Sequence, residues 1–88
     1  MYIVLCYDVK QKRASRMLKT AKKYLYHSQK SVFEGTLTEA QLKRLQREIS
    51  GIIVQDEDAI MIYRIETPSA VQRIQQGVIT TAGLDGIL

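Results

Sequence analysis

The sequence predicts a small α+β fold in which two amphipathic helices cover one face of an antiparallel sheet. Residues 2–8 and 59–66 are rich in apolar side chains, as is typical of buried strands. Residues 10–24 and the segment that begins at residue 38 instead repeat apolar side chains every three or four positions, which predicts helices with one buried face. The resulting order of elements, β-α-β(β)-α-β, fits a ferredoxin-like βαββαβ sandwich.

Length and composition indicate one soluble globular domain over residues 1–88, with its core at about residues 2–66. The chain is 45% hydrophobic and 25% charged, as in ordinary globular proteins. A core of this size provides only marginal folding stability on its own, so association with a second subunit would stabilise the chain. No apolar run is long enough for a membrane span, and a cytoplasmic location is expected. The single cysteine, Cys6, is expected to be a small core residue.

The first strand is apolar without interruption until Asp8, which predicts burial on both faces. In the helix that follows, one side carries the residues expected in the core. These are Ala14, Met17, Leu18, Ala21 and Leu25. The opposite side carries Lys12, Arg16, Lys19 and Lys23.

Residues 26–37 are strand-like and form either one long bent strand or two shorter ones, with a bend or bulge expected at Gly35. Thr38 and Gln41 have the spacing of a capping box, so a second helix is expected to start at Thr38 and to end near Gly51. Residues 56–58 are all acidic and predict a polar turn before the third strand. Residues 71–76 fit a short strand or a helical turn, and little regular structure is expected for the tail at 77–88.

Charge is distributed unevenly along the chain. The segment from Val9 to Phe33 contains eight lysines and arginines and no acid, whereas the remainder contains five bases and nine acids. A merely solvated helix face usually mixes both signs of charge, because opposite charges four residues apart attract. The segment therefore favours a surface that binds a polyanion, with a solvated helix face as the alternative.

Asp8 places one carboxylate at the edge of this basic region. A divalent cation held against phosphate is one reason for such a placement, and an acid that caps a turn or helix is the other. No second acid is placed beside Asp8 by pattern alone, although Glu34 and Glu66 are candidates. A two-fold dimer would bring two copies of Asp8 onto one shared ion.

The order of several short motifs resembles the small CRISPR-associated endoribonuclease family, the minor subunit of the spacer-acquisition complex. The motifs are Tyr7-Asp8-Val9, the basic helix, Gln29-Lys30-Ser31-Val32-Phe33-Glu34-Gly35, the leucine-patterned helix and Asp58-Ala59-Ile60-Met61-Ile62-Tyr63. The resemblance implies a ferredoxin-like homodimer in which residues 71–76 form a strand that is exchanged with the partner. It also implies a CRISPR-associated protein of antiviral defence, with an integrase subunit and nucleic acid, either duplex DNA or single-stranded RNA, as partners.

The same resemblance implies a metal-dependent endonuclease on RNA or DNA, with Asp8 as the catalytic and metal-binding acid and one Mg²⁺ shared by both subunits. Nucleic-acid contacts are expected from Lys10, Lys12, Arg13, Arg16, Ser31 and Phe33. Phe33 either stacks on a base or packs in the core. The alternative function is a non-catalytic dimeric scaffold that holds DNA between integrase subunits, and His27 is expected to be a surface residue.

Overall fold

The structure, a computed structural model, describes residues 1–67 and 70–78. Its elements are β1 (Tyr2–Asp8), α1 (Gln11–Lys22), β2 (Tyr26–Gln29), β3 (Val32–Thr36), α2 (Glu39–Ser50), β4 (Ala59–Thr67) and β5 (Ala70–Gly77). The strands form one antiparallel sheet in the order β2-β3-β1-β4-β5. The predicted α+β class and ferredoxin-like element order are confirmed. In the described part of the chain, neither helix is long and apolar enough to cross a membrane.

The core lies between the sheet and the two helices. β1 is the central strand, and its alternate residues Ile3 and Leu5 are fully buried in the main cluster with residues of both helices. The core residues of the helices are Met17, Ala21, Leu42, Leu45 and Ile49. The helical periodicity in the sequence therefore identified the buried face of each helix.

A second, smaller cluster lies on the sheet face opposite the helices. It contains the buried side chains of Val4, Cys6, Met61 and Tyr63. Burial raises the pKa of the Cys6 thiol, because the charged thiolate is disfavoured away from water. The expectation of a small core cysteine fits this environment.

The two helices begin differently. Thr38 and Gln41 form the predicted capping box at the start of α2, because the Gln41 amide donates to Thr38 Oγ1 at 3.1 Å and the Thr38 amide donates to Gln41 Oε1 at 2.9 Å. α2 ends at Gly51, also as predicted. The residue that caps α1, Lys10, provides no side-chain cap. Other groups must therefore satisfy the amides at that end of α1.

The strand-like region 26–37 forms two strands rather than one. β2 and β3 are joined at Lys30, whose φ of 25° lies in the left-handed region. The irregularity in their pairing falls between His27 and Gln29, so the prediction of a bulge at Gly35 is wrong. Gly35 pairs regularly with Ile3, and an added Cβ would lie 3.3 Å from Leu25, so close packing explains this glycine.

Residues 70–77 form a strand, which confirms the strand alternative with wider bounds than predicted. β5 pairs along its length with β4 of the same chain. In the single chain this strand therefore extends its own sheet, and its exchange with a partner subunit stays a prediction. Of the expected tail at 77–88, residues 79–88 lie outside the described residues.

Gly77, at the end of β5, approaches the backbone of Asp58 closely. Its φ is +81°, and an added Cβ would lie 1.9 Å from the Asp58 carbonyl oxygen. The same oxygen accepts a hydrogen bond from the Val78 amide at 2.8 Å. A side chain at position 77 would therefore separate β5 from the residue that precedes β4.

Replacing Gly77 by alanine is expected to destabilise the protein by about 1–3 kcal/mol, because the new Cβ clashes and the backbone conformation is strained. Chemical denaturation monitored by circular dichroism measures this change. Gly51→Ala is the matched control, since Gly51 has a φ of −81° and its added Cβ would lie no closer than 3.5 Å to another atom. Equal effects of the two substitutions would contradict the close approach at Gly77.

Candidate functional site

Asp8 is the last residue of β1 and pairs with Ala59, the first residue of β4. Its alternation with Val4 and Cys6 places it on the sheet face opposite the helices. The side chain is exposed. Within the part of the chain that the structure describes, its carboxylate has no hydrogen bond or ion pair. The predicted key acid is therefore available to a ligand.

Two residues, Val9 and Lys10, connect Asp8 to the start of α1. Lys10 and Lys12 are exposed here, and Arg16 follows one helical turn after Lys12. None of these three side chains forms an ion pair with a described residue. The exposed positive charge that the sequence predicted for this end of α1 is therefore unneutralised.

Arg13 has a different environment from its neighbours. Its Nε donates to Asp58 Oδ2 at 2.6 Å, and its Nη2 donates to Asp58 Oδ1 at 3.0 Å and to Glu57 Oε1 at 2.7 Å. Only 12% of the side chain is exposed. Two acids of the protein itself therefore occupy Nε and Nη2 of Arg13, and the predicted contact of Arg13 with nucleic acid stays a prediction.

Asp58 is buried, so the prediction of a polar turn at residues 56–58 is wrong for this acid. Its side chain is 0% exposed and accepts hydrogen bonds from the amides of Lys10 and Val54 as well as from Arg13. The guanidinium of Arg13 and the two amides lower the pKa of Asp58 to about 2. Its position directly before a buried strand was the sequence signal for this role.

Ser31 and Phe33 lie beside the end of β1. The Ser31 carbonyl accepts a hydrogen bond from the Tyr7 amide at 3.1 Å, which places Ser31 next to the residue that precedes Asp8. The half-buried Ser31 is therefore brought to the Asp8 edge, as its predicted role requires.

Phe33 is 0% exposed, and its ring lies between two other rings. It stacks on His27 with centroids 4.6 Å apart and on Tyr7 with centroids 6.0 Å apart. The ring has no face left for a base, so the suggestion that Phe33 stacks on nucleic acid is corrected in favour of core packing. His27 is exposed, as expected, and its Nε2 contacts the Lys30 carbonyl oxygen.

α2 carries further exposed cations that were not among the residues predicted from sequence. The two acids of α2 are both engaged, since Glu39 pairs with Arg64, and Glu48 pairs with Lys23 and accepts from the Tyr24 hydroxyl. The exposed cations of this helix form no ion pair with a described residue. They are Lys43, Arg44 and Arg47.

The donor set at the Asp8 edge suits a hard cation but is incomplete in one chain. A carboxylate oxygen is a preferred ligand of Mg²⁺. The described residues contain no group of three or more His, Cys, Asp or Glu side chains that could hold a metal ion. Asp8 therefore fits as one ligand of an ion whose other ligands come from water, phosphate or a second copy of the chain.

These observations define a ferredoxin-like domain that presents one exposed carboxylate beside unpaired cations. The family model of the CRISPR associated protein Cas2 matches residues 1–73. The chain belongs to this family.

Two relatives match the chain over most of its length. The CRISPR-associated endoribonuclease Cas2 of Dictyoglomus turgidum is 42% identical over 78 residues, which cover 89% of this chain and 90% of the relative. The protein of the same name from Thermotoga maritima is 35% identical over 88 residues, covering 100% and 99% of the two chains. The crystal structure of Streptococcus pyogenes Cas2 at pH 6.5 has a TM-score of 0.68 and 28% identity, covering 74% of this chain and 86% of that one.

The low pKa of Asp58 gives a testable dependence of stability on pH. The pKa is about 2 in the folded chain and about 4 in an unfolded chain, so ionised Asp58 stabilises the fold above pH 4. This contribution is lost as the pH falls from about 4 to about 2. Urea denaturation at a series of pH values is expected to show a smaller loss for Asp58→Asn than for the wild type in this window. Parallel curves for the two proteins would contradict the assignment.

Proposed function

We propose that this chain is a metal-dependent endoribonuclease of CRISPR defence, with Asp8 as its catalytic and metal-binding acid. The names of the relatives support the reaction class. The observation that carries the proposal is the contrast between two acids at one sheet edge. Asp58 is buried and fully engaged, whereas Asp8 is exposed and has no partner in the described chain.

The proposed active form is a homodimer. Asp8 is exposed at the end of β1, so a two-fold axis that passes beside this strand end would bring the Asp8 side chains of two copies together. Two carboxylates close together repel each other unless a cation or proton lies between them. One Mg²⁺ shared by the two Asp8 residues is the proposed solution, and exchange of β5 between subunits is part of the same proposal.

In the proposed reaction, the phosphodiester would lie between the two subunits, and a water oxygen would form a bond to phosphorus as the P–O bond to the leaving oxygen breaks. The water loses one proton to solvent, and the leaving oxygen takes one up from solvent. When bound, Mg²⁺ offsets the charge of the phosphate and lowers the pKa of a coordinated water. Asp8 fixes the position of the ion relative to the phosphate. Lys10, Lys12 and Arg16 contact neighbouring phosphates, and the Ser31 hydroxyl donates to a phosphate oxygen. These contacts carry no base-specific information, so little sequence preference is expected.

A second candidate function is a dimeric scaffold that holds duplex DNA between integrase subunits during spacer acquisition. The observation that favours it is the number of exposed cations. Cations without an ion pair to a described residue lie on α2 as well as beside Asp8. The two functions use the same dimer and differ in their need for Asp8.

Asp8→Asn is expected to lower the rate of RNA cleavage in Mg²⁺ by about 100-fold or more, because the amide is a poor ligand for the ion. Gel-based cleavage of a labelled single-stranded RNA measures the rate. Asp56→Asn removes an exposed acid from a nearby turn and is the matched control. Cleavage by Asp8→Asn at the wild-type rate, in preparations free of contaminating nuclease, would exclude the enzyme proposal. Retained spacer acquisition by this variant would favour the scaffold.

Loss of one phosphate contact reduces the number of counterions that are released on binding. Lys12→Ala and Arg16→Ala are each expected to make the slope of log affinity against log salt less negative by about 0.9 for duplex DNA. Fluorescence anisotropy at several salt concentrations provides the slope. Gln11→Ala, an exposed uncharged position between these cations and Lys10, is the control. Unchanged slopes for both lysine and arginine variants would place the phosphate contacts elsewhere.

A further inference from the structure

We propose that Asp58, together with Arg13, is a positioning residue that fixes the backbone on which Asp8 presents its carboxylate. This inference rests on the proposed role of Asp8 and extends it to two residues that do not contact the substrate. It gives Arg13 a role that differs from the direct nucleic-acid contact predicted from the sequence.

The Asp58 carboxylate joins three separate segments of the chain. Oδ1 accepts from the Lys10 amide at 2.9 Å and from Arg13 Nη2 at 3.0 Å. Oδ2 accepts from Arg13 Nε at 2.6 Å and from the Val54 amide at 2.8 Å. The loop after β1, the first turn of α1 and the loop before β4 are thereby fixed to one buried group.

The loop after β1 is the part that concerns Asp8. Asp8 pairs with Ala59, the residue that directly follows Asp58. Two residues after Asp8, the Lys10 amide is bound by the Asp58 side chain. The chain is therefore held on both sides of Val9, once by the sheet and once by the buried carboxylate.

No local interaction replaces this connection. Lys10 caps α1 without a side-chain hydrogen bond, and α1 has no acid in its first turn. The Lys10 amide consequently depends on an acceptor 48 residues away in the sequence. The guanidinium of Arg13 donates to both carboxylate oxygens of Asp58 and so fixes the orientation of this carboxylate. Small displacements of a metal ligand weaken binding of the ion, so this arrangement bears directly on the reaction.

The chain provides a matched pair of variants for the test. Asp58→Asn replaces one carboxylate oxygen by a donor, which removes the charge paired with Arg13 and two of the four hydrogen bonds that the side chain accepts. Glu57→Gln weakens the other ion pair of the same guanidinium but leaves the Lys10 amide bound, because Glu57 has no hydrogen bond to the loop after β1 among the described residues. Arg13→Lys keeps the positive charge but loses the bidentate contact with Asp58. It can be compared with Glu57→Gln in the same way if Asp58→Asn does not fold.

Three measurements on folded protein separate positioning from general stability. The first is the amide chemical shift of Asp8 and Val9 without metal or RNA. The second is the Mg²⁺ concentration that half-saturates the shift of the Asp8 amide, measured without RNA. The third is the affinity for single-stranded RNA in the presence of EDTA.

For Asp58→Asn we expect shifted Asp8 and Val9 resonances and a half-saturating Mg²⁺ concentration raised about tenfold or more. RNA affinity in EDTA is expected to stay within twofold of the wild type, and Glu57→Gln is expected to match the wild type in all three measurements. An Asp58→Asn protein that is folded and has wild-type resonances and Mg²⁺ dependence would overturn the inference. Failure of the proposed function would give a different result, because Asp8→Asn would then cleave RNA at the wild-type rate. The amide chemical shifts of Asp8 and Val9 would still show whether Asp58 positions the loop after β1.

Discussion

The structure depends on one buried carboxylate and the guanidinium that neutralises it. Burying a charged carboxylate without partners is very unfavourable, so Asp58 is stable in the core only because Arg13 and two backbone amides surround it. Its carbonyl oxygen also accepts from Val78 at the end of β5. A single residue thus connects the exits of β1 and β5 with the start of β4.

This arrangement separates the charges at the Asp8 edge into two groups. Asp58 and Arg13 neutralise each other inside the protein and have pKa values shifted toward their charged forms. Asp8, Lys10 and Lys12 remain exposed and are not paired with described residues. The buried pair is consequently suited to fix the backbone, while the exposed group is suited to bind an ion and phosphates. Both functions proposed for the chain require this division, since both need a rigid basic surface.

Much of the fold was predictable because its determinants are local. The apolar spacing identified the buried sides of α1 and α2, and Thr38 with Gln41 identified the start of α2. The bulge in β2 was not predictable in the same way. Gly35 is a typical bulge residue, but an added Cβ there would lie 3.3 Å from the side chain of Leu25, ten positions away, so close packing explains the glycine.

The candidate site was predictable only in part, for the same reason. Asp8 could be identified because the residues on both sides of it reveal a strand end beside a basic helix. Arg13 could not be distinguished from Lys12 or Arg16, because its partners Asp58 and Glu57 are more than 40 residues away in the sequence. The burial of Phe33 likewise depends on His27 and Tyr7, which reach it from two different strands.

Native-state hydrogen exchange at the Lys10 amide tests the central claim most directly. Lys10 is exposed and lies outside regular secondary structure. If its amide were hydrogen-bonded to water instead of Asp58, it would exchange as fast as in an unstructured peptide. If Asp58 holds the loop after β1, this amide exchanges as slowly as the amides of the central strand β1. Exchange of the Lys10 amide at the unstructured-peptide rate in the wild-type protein would contradict the account.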